Sequence, residues 1–257
     1  MSAEPPPGPL LRTPSEAAGT GCFSPASDTQ NSSDQLGQTK ESAANRGKID
    51  DLVPLFRTLG LAPSPAQLVR LHDFMALLSR WNGVHNLTAV RDPAGMRTHH
   101  LADCLAVIPA LARYRSVGRL LDVGSGGGLP GVVIAIMLPG LEVSCVDTVS
   151  KKVAFVRQVA GDLGLKNLIA VHSRVELLRS TPFDVVISRA FASLADFAIL
   201  SRSALADGGA WLAMKGQRPD KEIAMLPAEV EVFHVEPLQV PQLDAQRCLV
   251  WMRIRKT

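Results

Sequence analysis

Aromatic residues are scarce in this chain: they make up 5% of 257 residues, with a single tyrosine. The core must therefore be built from Leu, Val, Ile and Ala, and the 46% hydrophobic content is ample for it. At this length folding buries roughly 70% of the unfolded surface, so no disulfide or metal staple is required. Cysteine is scarce too. The four, at positions 22, 104, 145 and 248, form no C-x-x-C pair, which removes the zinc-ribbon and dithiol redox classes. Cys145 and Cys248 fall in apolar runs and read as small buried apolar residues. No apolar run approaches the roughly 18 residues of a membrane span. The N-terminus also lacks the charged-then-apolar pattern of a signal peptide. No membrane partner is expected, and the expected location is the cytoplasm.

Charge is unevenly spread. Residues 1–47 hold three basic against five acidic residues, a net of −2, so the remainder carries +5 of the overall +3. That suits a nucleic-acid partner without requiring one. The same 47 residues are rich in Pro, Ser, Gly, Thr and Gln without apolar periodicity, and read as a disordered tail.

Residues 48–116 read as helical. Ile49, Leu52, Val53 and Phe56 recur at helical spacing up to Gly60, and Leu68, Leu71, Phe74, Met75 and Leu78 continue it to Trp81. A further helix is expected over 94–114, bent or split by Pro109. From Arg119 the period changes. Short apolar runs (LLDV, LEVSCVD, LIAVH, FDVVISRA, GAWLAMK) alternate with helical stretches, among them 150–163 and 194–205. This is βαβ alternation, an α/β fold with a mostly parallel sheet. VEVFHVEPL and RCLVWMRIR, joined by a loop alone, predict a terminal antiparallel hairpin. The expected organisation is a tail (1–47), a helical N-terminal part (48–116) and an α/β domain (117–257).

The densest signal is Asp122-Val-Gly124-Ser-Gly126-Gly-Gly128-Leu129-Pro-Gly131, which follows a buried strand and opens a helix. Glycines there let the backbone turn sharply and approach a ligand. Gly126, Gly128 and Gly131 formally satisfy the dinucleotide pattern G-x-G-x-x-G. The strand, however, ends at Val123, which places the tight turn at Gly124, and Pro130 removes a donor where a pyrophosphate wants one. A glycine turn that binds nothing is a third reading. Asp147 ends the next strand, where a carboxylate accepts ribose hydroxyls or caps the following helix. Val175 and Glu176 follow the third strand, as a cofactor contact or as an ordinary first helical turn. Ser188, Arg189 and Phe191 end the fourth strand and Lys215 the fifth, both on the edge where parallel sheets place their chemistry. Structural alternatives are a salt bridge for Arg189, a core position for Phe191 and a solvated loop for Lys215. His99, His100 and Asp103 share a helix face. Their spacing points to local hydrogen bonds or an ion pair, and no metal site is expected.

Asp-x-Gly-x-Gly-x-Gly resembles motif I of class I S-adenosyl-L-methionine-dependent methyltransferases. With NLTAVRDP, H-L-A-D at 100–103, LLDVGSGGGLPG, Asp147 followed by SKK, SRVE, ISRAFASL, MKGQ and LQVP, the chain resembles the bacterial 16S ribosomal RNA guanine-N7 methyltransferases, also known as glucose-inhibited division protein B. The resemblance spans about residues 48–254. It implies a class I Rossmann-like methyltransferase fold with a helical N-terminal extension. It implies S-adenosyl-L-methionine as cofactor and methyl transfer to N7 of the guanosine conventionally numbered 527, in the 530 loop. Cofactor positions carry over to Gly124, Leu129, Val175, Glu176 and Arg189. With the strand-end reading they make the expected cofactor set Asp122, Gly124, Gly126, Gly128, Leu129, Asp147, Val175, Glu176 and Arg189. Gly127 is often proline in the family, without consequence for the chemistry.

The fourth-strand edge carries neither the Asn/Asp-Pro-Pro-aromatic motif of amine methylation nor a cysteine nucleophile. Guanine N7 has a lone pair and no proton, so it needs alignment rather than a base. Arg189, Ser188 and Lys215 are therefore expected as positioning residues, with Phe191 able to stack on a base. Arg91, Arg97, Lys151, Lys152 and Arg218 are candidate RNA contacts. The expected substrate is 16S rRNA within the small ribosomal subunit or an assembly intermediate, and the protein is expected to act as a monomer. A small-molecule methyltransferase and a non-catalytic rRNA-binding assembly factor are the competing classes.

Overall fold

A computed structural model describes residues 52–92, 95–114, 117–189 and 191–256, all within one compact unit. The tail expected over 1–47 and the first apolar position, Ile49, lie outside the described residues.

The chain opens with a short helix, α1 (Val53–Thr58), whose Leu55 and Phe56 are buried. Helix α2 runs Pro65–His85. Its start is a capping box: the Ser64 hydroxyl accepts the Gln67 N–H, and the Gln67 side chain accepts the Ser64 N–H. It ends at Asn86, in the left-handed conformation that asparagine tolerates. Leu71, Phe74, Leu77 and Leu78 form its buried stripe, close to the periodicity read from the sequence. The helix expected over 94–114 is divided. Met96–Ala102 is π-helical, Asp103–Leu105 is a single α turn, and α3 (Ile108–Arg113) restarts with Pro109 in its first turn, where no donor is needed.

Seven strands follow: β1 (Arg119–Val123), β2 (Glu142–Asp147), β3 (Leu168–His172), β4 (Phe183–Ser188), β5 (Leu205–Lys215), β6 (Val230–Leu238) and β7 (Arg247–Ile254). Their order is β3-β2-β1-β4-β5-β7-β6. β1 to β5 pair in parallel, and β7 runs antiparallel to both β5 and β6. This is the mostly parallel sheet with a terminal hairpin that the alternation predicts. The strand order reverses between β1 and β4, and the carboxyl edge there is where a doubly wound sheet opens a crevice.

Strand alternation divides the core into two layers. One face, with Leu120, Val143, Cys145, Val185 and Leu212, packs beneath α1–α3, α4 (Gly131–Met137) and α5 (Ser150–Asp162). The other, with Leu121, Val146, Val186, Trp211 and Val250, packs on α6 (Leu194–Ser201). Cys145 and Cys248 are buried in these layers. The Gln67 amide also donates to the Ile136 and Met137 carbonyls, both at 3.0 Å, and so caps α4 from α2.

One boundary differs from expectation. The helix expected over 194–205 stops at Ser201, and β5 begins at Leu205 rather than Gly209. Buried Ser201 turns its hydroxyl back to the Phe197 carbonyl and accepts the Trp211 indole N–H at 2.9 Å. A serine bonding its own turn and the sheet below ends the helix early. Among the described residues, no helix is long and apolar enough to cross a membrane.

Candidate active site

A cavity of about 430 Å³, within the range of small-molecule sites, opens over the carboxyl ends of β1 and β2. It is lined by Gly124 and Asp147, by Val175 and Glu176 from the turn after β3, and by Phe191 and Leu200.

The loop from 124 to 131 is shaped by its own hydrogen bonds. The N–H groups of Gly124 and Ser125 both donate to the Val146 carbonyl, and those of Gly128 and Leu129 to the Ser125 carbonyl. Gly126 N–H donates to Asp147 Oδ2 at 2.9 Å, and Gly131 N–H to Asp122 Oδ2 at 2.8 Å. Gly124, Gly126 and Gly128 all have positive φ, a conformation that costs residues with a Cβ. At Gly131 a Cβ would stand 2.4 Å from Cys145 Sγ and 2.9 Å from Asp122 Oδ2.

The expected residues separate into those on the cavity and those behind it. Gly124, Asp147, Val175 and Glu176 line it, as does Phe191. Asp147 both lines the cavity and shapes the chain, because its Oδ1 accepts the Val149 N–H at 2.8 Å. Asp122 is fully buried beneath the loop, with Oδ1 lacking any partner among the described residues. Burial raises its pKa to about 7, against the opposing Gly131 hydrogen bond. Gly126 and Gly128 shape the loop from behind, and Leu129 is a core residue. The Ser188 hydroxyl donates to the Val123 carbonyl at 2.8 Å and joins the ends of β4 and β1.

Arg189 faces the helical segment. Its Nη1 donates to the His99 carbonyl at 3.2 Å and lies 3.5 Å from Asp103 Oδ2. Asp103, itself buried, takes Arg247 Nε on its other oxygen at 3.1 Å. His100 is buried against Thr88, and burial first, then Arg189, lowers its pKa. So the His100 and Asp103 side chains serve a hydrogen bond and ion pairs, and His99 contributes its backbone carbonyl. Among the described residues no group of three His, Cys, Asp or Glu could hold a metal. Lys215 acts on the loop after β4. Its Nζ meets the Phe191 carbonyl at 3.3 Å and Glu222 Oε2 at 2.8 Å, and the same Oε2 accepts the Leu194 N–H at 2.8 Å.

Among the candidate RNA contacts, Lys152 lines the cavity. Arg91, Arg97, Lys151 and Arg218 are exposed; Arg91 donates to Asn86 Oδ1 and Arg218 pairs with Asp220. Thr148, Val149 and Leu200 also line the cavity and escaped the sequence reading. The first two are legible as neighbours of a strand-ending carboxylate. Leu200 is not, because nothing in its helix marks which apolar residue faces outward.

The family model described as rRNA small subunit methyltransferase G matches residues 67–250. A relative from Acidovorax sp. (strain JS42), named Ribosomal RNA small subunit methyltransferase G, is 60% identical over 205 residues, covering 76% of this chain and 90% of that protein. Among solved structures, a SAM-dependent methyltransferase of Leishmania major matches with a TM-score of 0.52 at 16% identity, over 70% of this chain and 82% of that one. A glycopeptide N-methyltransferase complexed with (S)-adenosyl-L-methionine matches with a TM-score of 0.50 at 13% identity, over 60% and 94%. Those distant likenesses speak to the fold, the class I Rossmann-like methyltransferase sheet. The model match spans most of the chain and the identity to the relative is high: the chain belongs to the rRNA small subunit methyltransferase G family.

Proposed function

We propose that this enzyme transfers a methyl group from S-adenosyl-L-methionine to N7 of a guanosine in 16S ribosomal RNA, the 530-loop guanosine that the family resemblance implies. Methyl transfer to small-subunit rRNA is the activity for which the family is named. The observation that carries the cofactor assignment is the state of the glycine loop. The N–H groups of residues 124, 125, 126, 128, 129 and 131 all donate within the protein. A dinucleotide pyrophosphate needs such donors free. A nucleoside bearing a methionine chain instead needs close backbone approach, apolar walls for its ring and acceptors for its hydroxyls. In this reading Gly124, then Val175 with Phe191, then Asp147 with Glu176 supply these, and all five line the cavity.

When bound, the cofactor supplies an electrophilic methyl group on a sulfonium. The protein has to hold the target base in line with it and exclude water. Among the described residues the cavity lining contains neither histidine nor cysteine; of its two carboxylates, Asp147 already accepts backbone N–H groups on both oxygens and Glu176 pairs with Arg174. That arrangement suits a nitrogen with a lone pair and no proton to remove. In this reading Arg189, Ser188 and Lys215 are positioning residues: they fix the end of β4 and the loop carrying Phe191.

The same reading has the protein act as a monomer in the cytoplasm, on the small ribosomal subunit or an assembly intermediate. Residues 48–116 serve as a helical extension to the domain at 117–257. The test is methyl transfer to small subunits that lack the modification, with the modified nucleotide mapped. Label at guanine N7 is expected, and label on an exocyclic amine or ribose hydroxyl refutes the assignment. Calorimetric titration with S-adenosyl-L-methionine should show binding by the wild type and none by Gly124→Asp. Unchanged affinity in that variant means the pocket lies elsewhere.

A further inference from the structure

We propose that a second cavity on the same sheet edge seats a nucleotide of the RNA strand that carries the target base, an inference that rests on the function proposed above. The cavity measures about 390 Å³ and lies between Gly216–Arg218, the end of β6 and the start of β7. Lys215 pairs with Cys248, and Leu238 with Arg247. The ends of β5 and β6 and the beginning of β7 therefore share the carboxyl edge with the proposed cofactor cavity. β4, β5 and β7 are consecutive in the sheet, so the new cavity begins about 10 Å from the Arg189 end of β4, two strand spacings away.

Its lining has the chemistry of a base seat. Val235, Leu238 and Cys248 give an apolar floor. Gln217 and Gln246 stand exposed at the rim, and among the described residues neither side-chain amide makes a hydrogen bond. A carboxamide offers a donor and an acceptor side by side, the pattern that reads the edge of an unstacked RNA base.

A fixed cation completes the site. Arg247 is held by Asp103 through Nε and by the Gln246 carbonyl through Nη1 at 2.9 Å. Asp103 also holds Arg189. One buried carboxylate thus serves two guanidinium groups, which leaves the Arg189–Asp103–Arg247 group with one unit of positive charge. The neighbouring Lys215 and Arg218 are matched by Glu222 and Asp220. A phosphodiester between the target and the seated nucleotide neutralises that surplus, and guanidinium suits phosphate geometry. The shared carboxylate also ties the Arg247 wall of this cavity to Arg189 at the end of β4.

The test uses the full-length enzyme and small subunits lacking the methyl group. The Gln217→Ala/Gln246→Ala double variant changes two exposed side chains. Its KM for subunits should rise roughly tenfold, the size of one lost bidentate base contact. Its kcat and its calorimetric affinity for S-adenosyl-L-methionine should stay unchanged. Lys256→Ala, on the opposite sheet edge, should leave KM alone. A photo-crosslinking benzoylphenylalanine at position 217 should attach to rRNA next to the methylated guanosine. An unchanged KM in the double variant, or crosslinks confined to ribosomal protein, overturns the proposal. A wild-type enzyme that fails to methylate the subunits overturns the underlying function instead, before any variant is read.

Discussion

Over β1, β2 and β3 the carboxyl edge is held by backbone: loop N–H groups meet strand carbonyls and two carboxylates, and glycines permit the turns. Over β4, β5 and β7 the same edge is held by charge, through Arg189–Asp103–Arg247 and Lys215–Glu222. The first half offers a shaped, largely saturated cradle for a small ligand. The second keeps guanidinium groups near the surface, where a polyanion reaches them. On the function and the RNA seat proposed above, one edge divides its work between a cofactor side and an RNA side, and each half should fail in its own way when altered.

The largest effect is expected from added volume in the backbone half. A Cβ at Gly128 would lie 2.4 Å from Val132 Cγ2, at a φ of +78°. Left-handed strain of roughly 1–2 kcal/mol and overpacking of roughly 1–3 kcal/mol should make Gly128→Ala about 3–4 kcal/mol less stable. Denaturant titration measures this, and a loss under about 1 kcal/mol would mean that the loop yields and the contrast with the charged half is weaker than drawn.

The next effect is a pH dependence. Asp122 has its pKa raised from 3.8 to about 7 by burial, so the folded state holds the proton more tightly than the unfolded one. Its contribution is therefore full at acid pH and is lost as pH rises toward 7 and above. Asp122→Asn keeps an acceptor for the Gly131 N–H and cannot ionise. Between pH 5 and pH 8 the stability difference should move by roughly 2.5 kcal/mol in favour of that variant, given a folded pKa near 7. A gap independent of pH would place a compensating charge under the loop.

The same contrast explains what the sequence revealed. Local signals were legible: the change of period at Arg119, the glycine spacing after β1 and the carboxylate ending β2 all act within a few residues. The division at Pro109 was legible because proline lacks a donor. What escaped depends on partners far along the chain. Asp103 meets Arg189 and Arg247 across separations of 86 and 144 residues, and no local pattern joins them. Ser201 ends its helix by accepting from Trp211, a tertiary bond that overrides the helical pattern running to Leu205. Asp122 and Asp147 both look like strand-end carboxylates in the sequence. Strand register puts one beneath the loop and the other on the cavity.

In the charged half, Asp103→Asn should cost about 2 kcal/mol. Removing one partner of a fully buried pair costs about 3–5 kcal/mol, and the two arginines retain 27% and 24% exposure, so water offsets part of the loss. Activity on subunits should fall while S-adenosyl-L-methionine affinity holds, because the variant disturbs the RNA side alone. Equal loss of both would merge the two halves into one unit.

The smallest effect belongs to Lys215 and Glu222. Their 2.8 Å pair is partly covered, with side chains 14% and 29% exposed. A double-mutant cycle of Lys215→Met and Glu222→Gln should give a coupling of about 1 kcal/mol, at the upper end for ion pairs that water still reaches. The Glu222 oxygen also accepts the Leu194 N–H, and Lys215 also bonds the Phe191 carbonyl. Either single change should therefore loosen the loop that carries Phe191 into the cofactor cavity. A twofold to fivefold weaker calorimetric affinity for S-adenosyl-L-methionine is the expected sign, the equivalent of about 0.4–1 kcal/mol. Lys215 and Glu222 would then be the charged residues of this half whose loss reaches across to the other, through the backbone of the Phe191 loop rather than through the Asp103 pairs.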